Sequence, residues 1–426
     1  MVMAGELVTK NMHMLIRPYD ERYKLHQRME APLLTLRSAS RYRDLQDLES
    51  QQLLFDVLSD WDEYGEKGVD FHHHFERAMA STIYCLNYGY RLKTGYEKEL
   101  MDGKRVQAEF ARPGQVGAYL VDSFPSLNYL PKFLAPWKKE GEELYELERS
   151  LHVGNLKRGL SGRGWNFAKY MENSPEAQAM STEELAFDLG ILADAGLDTS
   201  TVALDWFIKA QDLLHEVVGK DRIPQFEDRP KLAYIDAIAS ETLRWRPVVV
   251  SGVPHYTKTE DEYMGYRIPA NSTVLPNAFA ITHDEAAFEP DVDSFIPERW
   301  LADKTQDTEE AIDICGMNTS ALQDLPQTGF GFGRRICTGR LIARNQLFIH
   351  MARMLWAFDV EAGVIGENGE RHKVDDMDCT EGFVTLLKPF RAVPRPRGGW
   401  VKKAILDRGT THGVDHGGIL EAARID

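Results

Sequence analysis

Phe330-Gly-Phe-Gly-Arg-Arg-Ile-Cys-Thr-Gly339 is the stretch that decides the fold of this chain. Gly331, Gly333 and Gly339 open backbone conformations closed to other residues, so the string predicts a tight loop. Directly after it, Gly339 to Phe358 is strongly apolar at helical spacing, which predicts a buried helix. Cys337 therefore stands just before a helix entrance, where the positive end of the dipole favours a thiolate. Amides at that entrance can donate to the sulfur and tune its electron donation to a metal. A lone cysteine is usually a small buried hydrophobe. Within this whole ten-residue string, a metal-ligand loop is the better reading.

Working outward, the 426 residues carry 50 Lys+Arg against 66 Asp+Glu, a formal charge of −16, with 43% hydrophobic residues. These are the proportions of a folded domain, and they argue against disorder and against wholesale nucleic-acid binding. Four cysteines, Cys85, Cys315, Cys337 and Cys379, lack C-x-x-C spacing, so neither a disulfide framework nor a structural zinc site is expected. No apolar run of about eighteen residues is present, so the chain as written is expected to be soluble and cytoplasmic.

Most of the chain predicts helix. Leu45, Leu48, Leu53, Phe55 and Leu58 recur near helical spacing between Arg41 and Ser59. Pro125, Pro131, Pro136 and Trp137 mark a loop over a core. Ser181-Thr-Glu-Glu184 predicts a capping box at the start of a long helix running past Gly196 toward Val218. Pro230 opens and Pro247 stops a helix over Lys231 to Trp245. Short β-like runs lie between Val248 and Pro276, residues 301–328 form an acidic meander, and the tail after Pro394 looks loosely ordered. The fold class is mainly α with a small β portion. Consecutive His72, His73 and His74 point to different helix faces, so they cannot chelate together and read as helix surface.

The cysteine string resembles the haem-binding loop of the cytochrome P-450 superfamily, F-x-x-G-x-R-x-C-x-G, at every fixed position. Two further motifs match in order and spacing. Glu241-Thr-Leu-Arg244, taken alone, would be a surface ion pair. Buried beside Ile235 and Ile238, the pair would need further partners, and Arg299 in Pro297-Glu-Arg-Trp300 supplies one. This resembles the family's E-x-x-R plus P-E-R-F triad, with Trp300 where Phe is commoner, and its implied role is structural. Ala195-Gly-Leu-Asp198-Thr199-Ser200 resembles the oxygen-activation motif A-G-x-D-T-[TS]. Alone, it reads as a solvent-facing acid beside a back-bonding Thr. The functional reading needs a helix distorted at Gly196, with Thr199 hydrogen-bonding dioxygen and Asp198 relaying protons.

The resemblance covers Tyr19 to Arg397 and is closest to fungal microsomal-type members. It implies a single P-450 domain over 19–397, an N-terminal remnant over 1–18 and a loose tail over 398–426. The family's anchor, first helices and first sheet strands are expected to be missing, and full-length relatives are anchored to the endoplasmic reticulum membrane. It implies haem b on Cys337, with Arg335, Phe330, His255, Tyr23 and Arg28 as cofactor contacts. His255 taken alone would be surface. Ala193, Val249, Val250 and Phe383 are the implied substrate contacts. The implied activity is insertion of one atom of dioxygen into a small apolar substrate of fungal secondary or xenobiotic metabolism. Electrons would come from NADPH through a diflavin reductase docking on the basic face of Arg334, Arg335, Arg340 and Arg344. A haem-thiolate isomerase or dehydratase without reductase, and a truncated non-catalytic remnant, are the alternatives. Two departures stand out: Tyr23-Lys-Leu-His-Gln27 replaces W-x-x-x-R, and Lys209 runs almost directly into Gln211-Asp-Leu-Leu214, where the family has a helix end and a turn.

Overall fold

Fifteen helices and three small antiparallel hairpins are present among the residues that the computed structural model describes: 1–115, 117–210, 222–288, 291–301, 328–363, 379–380 and 382–425. A π-helical turn, Val2–Val8, precedes α1 (Glu21–Glu30), α2 (Leu36–Arg41), α3 (Arg43–Tyr64) and α4 (Phe71–Tyr88). Next come α5 (Lys98–Phe110), α6 (Leu120–Ser123), α7 (Pro136–Ser161), α8 (Phe167–Glu172), α9 (Thr182–Ala210) and α10 (Ala233–Trp245). The series closes with α11 (Ala278–Thr282), α12 (Glu285–Phe288), α13 (Arg340–Ala357), α14 (Gly399–Arg408) and α15 (His416–Ala422).

Helix α9 organises the molecule because it passes through both large apolar clusters. Trp206, Phe207 and Ile208 pack with α3, α10 and the α13 side chains Leu347, Phe348 and Met351. Leu185, Leu189 and Leu197 pack with Tyr84 of α4, Leu156 of α7 and Met171 of α8. A helix that buries apolar side chains in both clusters along its length is central. Helix α4 lies antiparallel to it: Asn87 Nδ2 donates to the Leu189 carbonyl at 3.0 Å, while His72 Nδ1 meets Asp205 Oδ2 at 2.8 Å.

The N-terminal cap of α9 forms only half of the expected box. Ser181 Oγ accepts the Glu184 amide at 3.0 Å, but the Glu184 carboxylate turns away to Arg22 and to His26 Nε2, the latter at 2.9 Å. Charge-assisted bonds are stronger than one to a neutral amide, so the reciprocal bond loses. Helix α10 starts at Ala233, two residues after the predicted Lys231, because Pro230 lies in a preceding 3₁₀ turn. It ends at Trp245, with Arg246 extended ahead of Pro247.

The β portion is small. His255–Tyr256 (β1) pairs with Thr273–Val274 (β4), Asp261–Tyr263 (β2) with Tyr266–Ile268 (β3), and Phe358–Ala362 (β5) with Ala392–Pro396 (β6). Strands β1 and β4 pair only with each other among the described residues, and Tyr256 and Val274 stand exposed. The segment after Arg397, expected to be loosely ordered, instead contains α14 and α15. It is held by buried Val401, Ile405 and Leu420 and by the Gln52 side chain, which accepts the Thr411 amide at 2.6 Å. Proline and glycine at 394–399 suggested a loose tail, but apolar residues further on reach the core. The acidic meander and the Lys209–Gln211 junction lie largely outside the described residues. Among the described residues, no helix is long and apolar enough to cross a membrane.

Candidate functional site

The loop before α13 is shaped by two glycines in the left-handed region, Gly331 at φ 77° and Gly333 at φ 57°. The Cys337 amide closes it by donating to the Phe330 carbonyl at 2.8 Å. The backbone N–H groups of Gly339 and Arg340 donate to the Cys337 sulfur, as expected at the entrance of α13. Cys337 is solvent-accessible, yet enough protein surrounds its thiol that desolvation raises the pKa above the ordinary value. In the chain alone the helix entrance therefore does not win: burial outweighs the two amides, and the sulfur stays protonated until a cation binds.

Behind the loop, Gly329 approaches Leu243 of α10 so closely that a Cβ would stand 3.2 Å from the Leu243 Cβ. That helix is locked by Glu241, which is fully buried. Arg244 donates to both of its oxygens at 2.8 Å, and Arg299 Nε donates at 3.2 Å. The Ile296 amide adds a bond at 2.9 Å, and the Trp300 indole N–H another at 2.8 Å. Arg244 further donates to the carbonyls of Thr282, Val292 and Ser294. Tryptophan at position 300 thus adds a hydrogen bond that phenylalanine could not make.

Arg335 lies over the ring of buried Tyr23, 4.2 Å from its centroid, and donates to the carbonyls of Met14, Leu15 and Arg17. Arg28 points elsewhere, toward Glu176 at 3.8 Å, and His26 is buried against Glu184 and Asp188. Neither stands in for the arginine absent at Gln27. Phe330 sits under Arg344, Phe332 is 40% exposed, and His255 is exposed on β1.

On α9 the hydrogen-bonded helix runs unbroken through Gly196, so the expected distortion there is absent. Gly196 serves packing instead: a Cβ would come within 3.1 Å of Ile83 on α4. Thr199 Oγ1 donates to the Ala195 carbonyl at 2.7 Å. Ala193 is buried in the core, whereas Ala195, two residues on, is exposed in mid-helix; Val249, Val250 and Phe383 are half-buried. Burial, with help from the Glu76 carboxylate and against His72 and Lys104, pushes Asp198 up to about 6. Burial and the Asp198 charge raise Asp194 to about 8. The histidine trio is not plain surface: His72 bridges Asp205 and Glu76, His73 stacks on Tyr96, and His74 meets Asp60 at 2.9 Å. Glu76 is one turn along the same helix, but Asp205, Tyr96 and Asp60 are brought in only by tertiary packing.

The donor set fits a haem. A soft sulfur with two amide donors is presented to solvent, with a guanidinium two residues away and a buried phenol beneath it. Comparisons with known proteins agree. The family model described as Cytochrome P-450 matches residues 5–390. The chain is 37% identical to cytochrome P-450 monooxygenase aneD of Aspergillus aculeatus, over 95% of this chain and 76% of that protein. It is 37% identical to cytochrome P-450 monooxygenase drtD of Aspergillus calidoustus, over 84% and 65% of the two lengths. It is 31% identical to cytochrome P-450 monooxygenase 58 of Postia placenta, over 93% and 75%. With the cysteine loop, the Glu241 cluster and the α9 acid–alcohol pair all in place, the chain belongs to the cytochrome P-450 family.

Proposed function

We propose that this chain is a haem-thiolate monooxygenase that inserts one atom of dioxygen into a small apolar substrate of fungal secondary metabolism, using NADPH electrons from a diflavin reductase. The observation that carries it is the Cys337 sulfur held by the Gly339 and Arg340 amides. Bound there, haem b would supply the oxygen-transfer chemistry, the thiolate favouring O–O cleavage.

The chain's own residues do the rest. Cys337 gives up its thiol proton on ligation, and the two amides share the resulting charge. Arg335 and Tyr23, with His255 on the β1 side, hold the carboxylate edge of the macrocycle. Thr199 already donates its hydroxyl proton to Ala195, so it acts as an acceptor that fixes a water beside the exposed helix face. Asp198, with its pKa near 6, changes protonation close to neutral pH, as a general acid requires. Ala195, Val249, Val250 and Phe383 offer the substrate an apolar surface. Exposed Arg334, with Arg340 and Arg344, presents positive charge near the cysteine loop to an acidic electron donor.

Haem-loaded protein, reduced and exposed to carbon monoxide, is expected to show the red-shifted Soret band of thiolate ligation, and Cys337→Ala to abolish it. A band that survives Cys337→Ala would overturn the ligand assignment. Substrate turnover without NADPH or dioxygen would favour an isomerase instead.

A further inference from the structure

We propose that His72 and Glu76 of α4 form the solvent-facing half of the proton route ending at Asp198, with Asp205 and Lys104 holding them in line. This route presupposes the assignment of Asp198 and Thr199 above and adds the residues that supply them.

The antiparallel register carries it. With Asn87 against Leu189 and His72 against Asp205, Glu76 falls one turn along α4 from His72. It therefore faces the stretch of α9 between Asp198 and Asp205, two positions about 10 Å apart along one helix face. Lys104 of α5 closes the group from the third side, its Nζ 2.8 Å from Glu76 Oε1. The side chains of His72 and Lys104 are 33% and 39% exposed, whereas those of Glu76 and Asp205 are 2% exposed. His72 and Lys104 thus stand between solvent and the buried pair of Glu76 and Asp205.

The charges are ordered for transfer. Asp205 of α9, Glu76 of α4 and Asp70, which caps α4, face His72, and together they overcome desolvation and hold the imidazole charged to about pH 9. Asp198 is faced by Glu76 and His72 of α4, Lys104 of α5 and Asp205 of α9, with Asp194 one turn before it. Because Asp205 holds Nδ1, the exchanging nitrogen is Nε2, 3.9 Å from Glu76 Oε1. That gap needs one bridging water: the Nε2–H bond breaks as an O–H forms on the water, which gives one of its own protons to the Glu76 carboxylate. Glu76, one turn from the level of Asp198, passes the proton through water to the Asp198 carboxylate, which gives it to the water fixed by Thr199. The imidazole then regains a proton from solvent at Nε2. No electrons move, and every carrier returns to its starting state. On the other side of Asp198, beyond Asp194, Glu148 and His152 are both buried.

The test uses the haem-loaded full chain. Infrared titration follows the Asp198 carboxyl band, assigned by its loss in Asp198→Asn. Reductase-supported NADPH oxidation is measured in H2O and D2O. Glu76→Gln is expected to lower the Asp198 titration point, and Lys104→Met to raise it. His72→Gln and Glu76→Gln are expected to slow NADPH oxidation by about tenfold and enlarge its solvent isotope effect, with recovery in Glu76→Asp. Glu148→Gln is expected to leave rate and isotope effect alone. Parental rates and isotope effects in both His72→Gln and Glu76→Gln, with the thiolate band intact, would overturn the route and leave the monooxygenase standing. A parent chain without that band would remove both.

Discussion

Two buried carboxylates in this molecule live under opposite conditions. Glu241 on α10 is fully buried, and every acceptor direction it offers is met by a cation, an amide or an indole. Glu148 on α7 is nearly as buried, yet among the described residues its Oε2 finds no hydrogen-bond partner, and His152 Nε2 has only Asp194 at 3.6 Å. The first is held by its donors and stiffens the scaffold behind the cysteine loop. The second is pushed up to about 8 by burial and then by Asp194, so it holds a proton at neutral pH. Burial alone does not decide what a carboxyl does; the donors that its neighbours bring decide it.

The sharpest way to break this contrast is Glu241→Ala. It leaves Arg244 and Arg299 buried without their carboxylate, and should cost about 3–5 kcal/mol, enough to prevent recovery of folded protein. A urea midpoint near the parental value would show that the carbonyls around Arg244 suffice. Trp300→Phe removes a single charge-assisted bond to Glu241 and is expected to cost about 1.5–3 kcal/mol in the same measurement.

The other half of the contrast shows in pH. Glu148 binds a proton in the folded chain up to about pH 8 but in the unfolded chain only up to its ordinary value near 4.5. Between those limits the folded state holds more protons, so stability falls as pH rises. His26 adds to the same trend. Hydrogen bonds that it donates to Asp188 and Glu184 overcome desolvation and hold it near 9, so its stabilisation is complete below pH 6.5 and lost as pH rises through 9. Glu148→Gln should flatten the slope of thermal midpoint against pH between 5 and 8; an unchanged slope would place the titration elsewhere. The smallest effect is expected for Ser181→Ala. Only half of its capping box exists, so the loss should be about 1 kcal/mol, read from the urea midpoint.

Much of the site was legible because it is written in local chemistry. Glycines at 331 and 333 precede a cysteine and an apolar helix, and that order alone implies a loop that presents a sulfur. Glu241 and Arg244 lie one helical turn apart, so their pairing needed no knowledge of the fold. The partners of His72, His26 and Glu184 were not legible, because they come from helices far away in the chain. Gly196 was readable as special, but its reason is Ile83 of another helix rather than a break in its own.

Residue order by itself determined the mainly helical class, the glycine-shaped cysteine loop and the adjacency of Asp198 and Thr199, since each depends on neighbours within a turn or two. Only the tertiary structure decided which buried groups keep their charge. It set Trp300 on Glu241, turned Glu184 from its cap to His26, and brought His72 between two acids of different helices. The physical reason is that desolvation and pairing are properties of a site's whole surroundings, and those surroundings are assembled from distant parts of the chain.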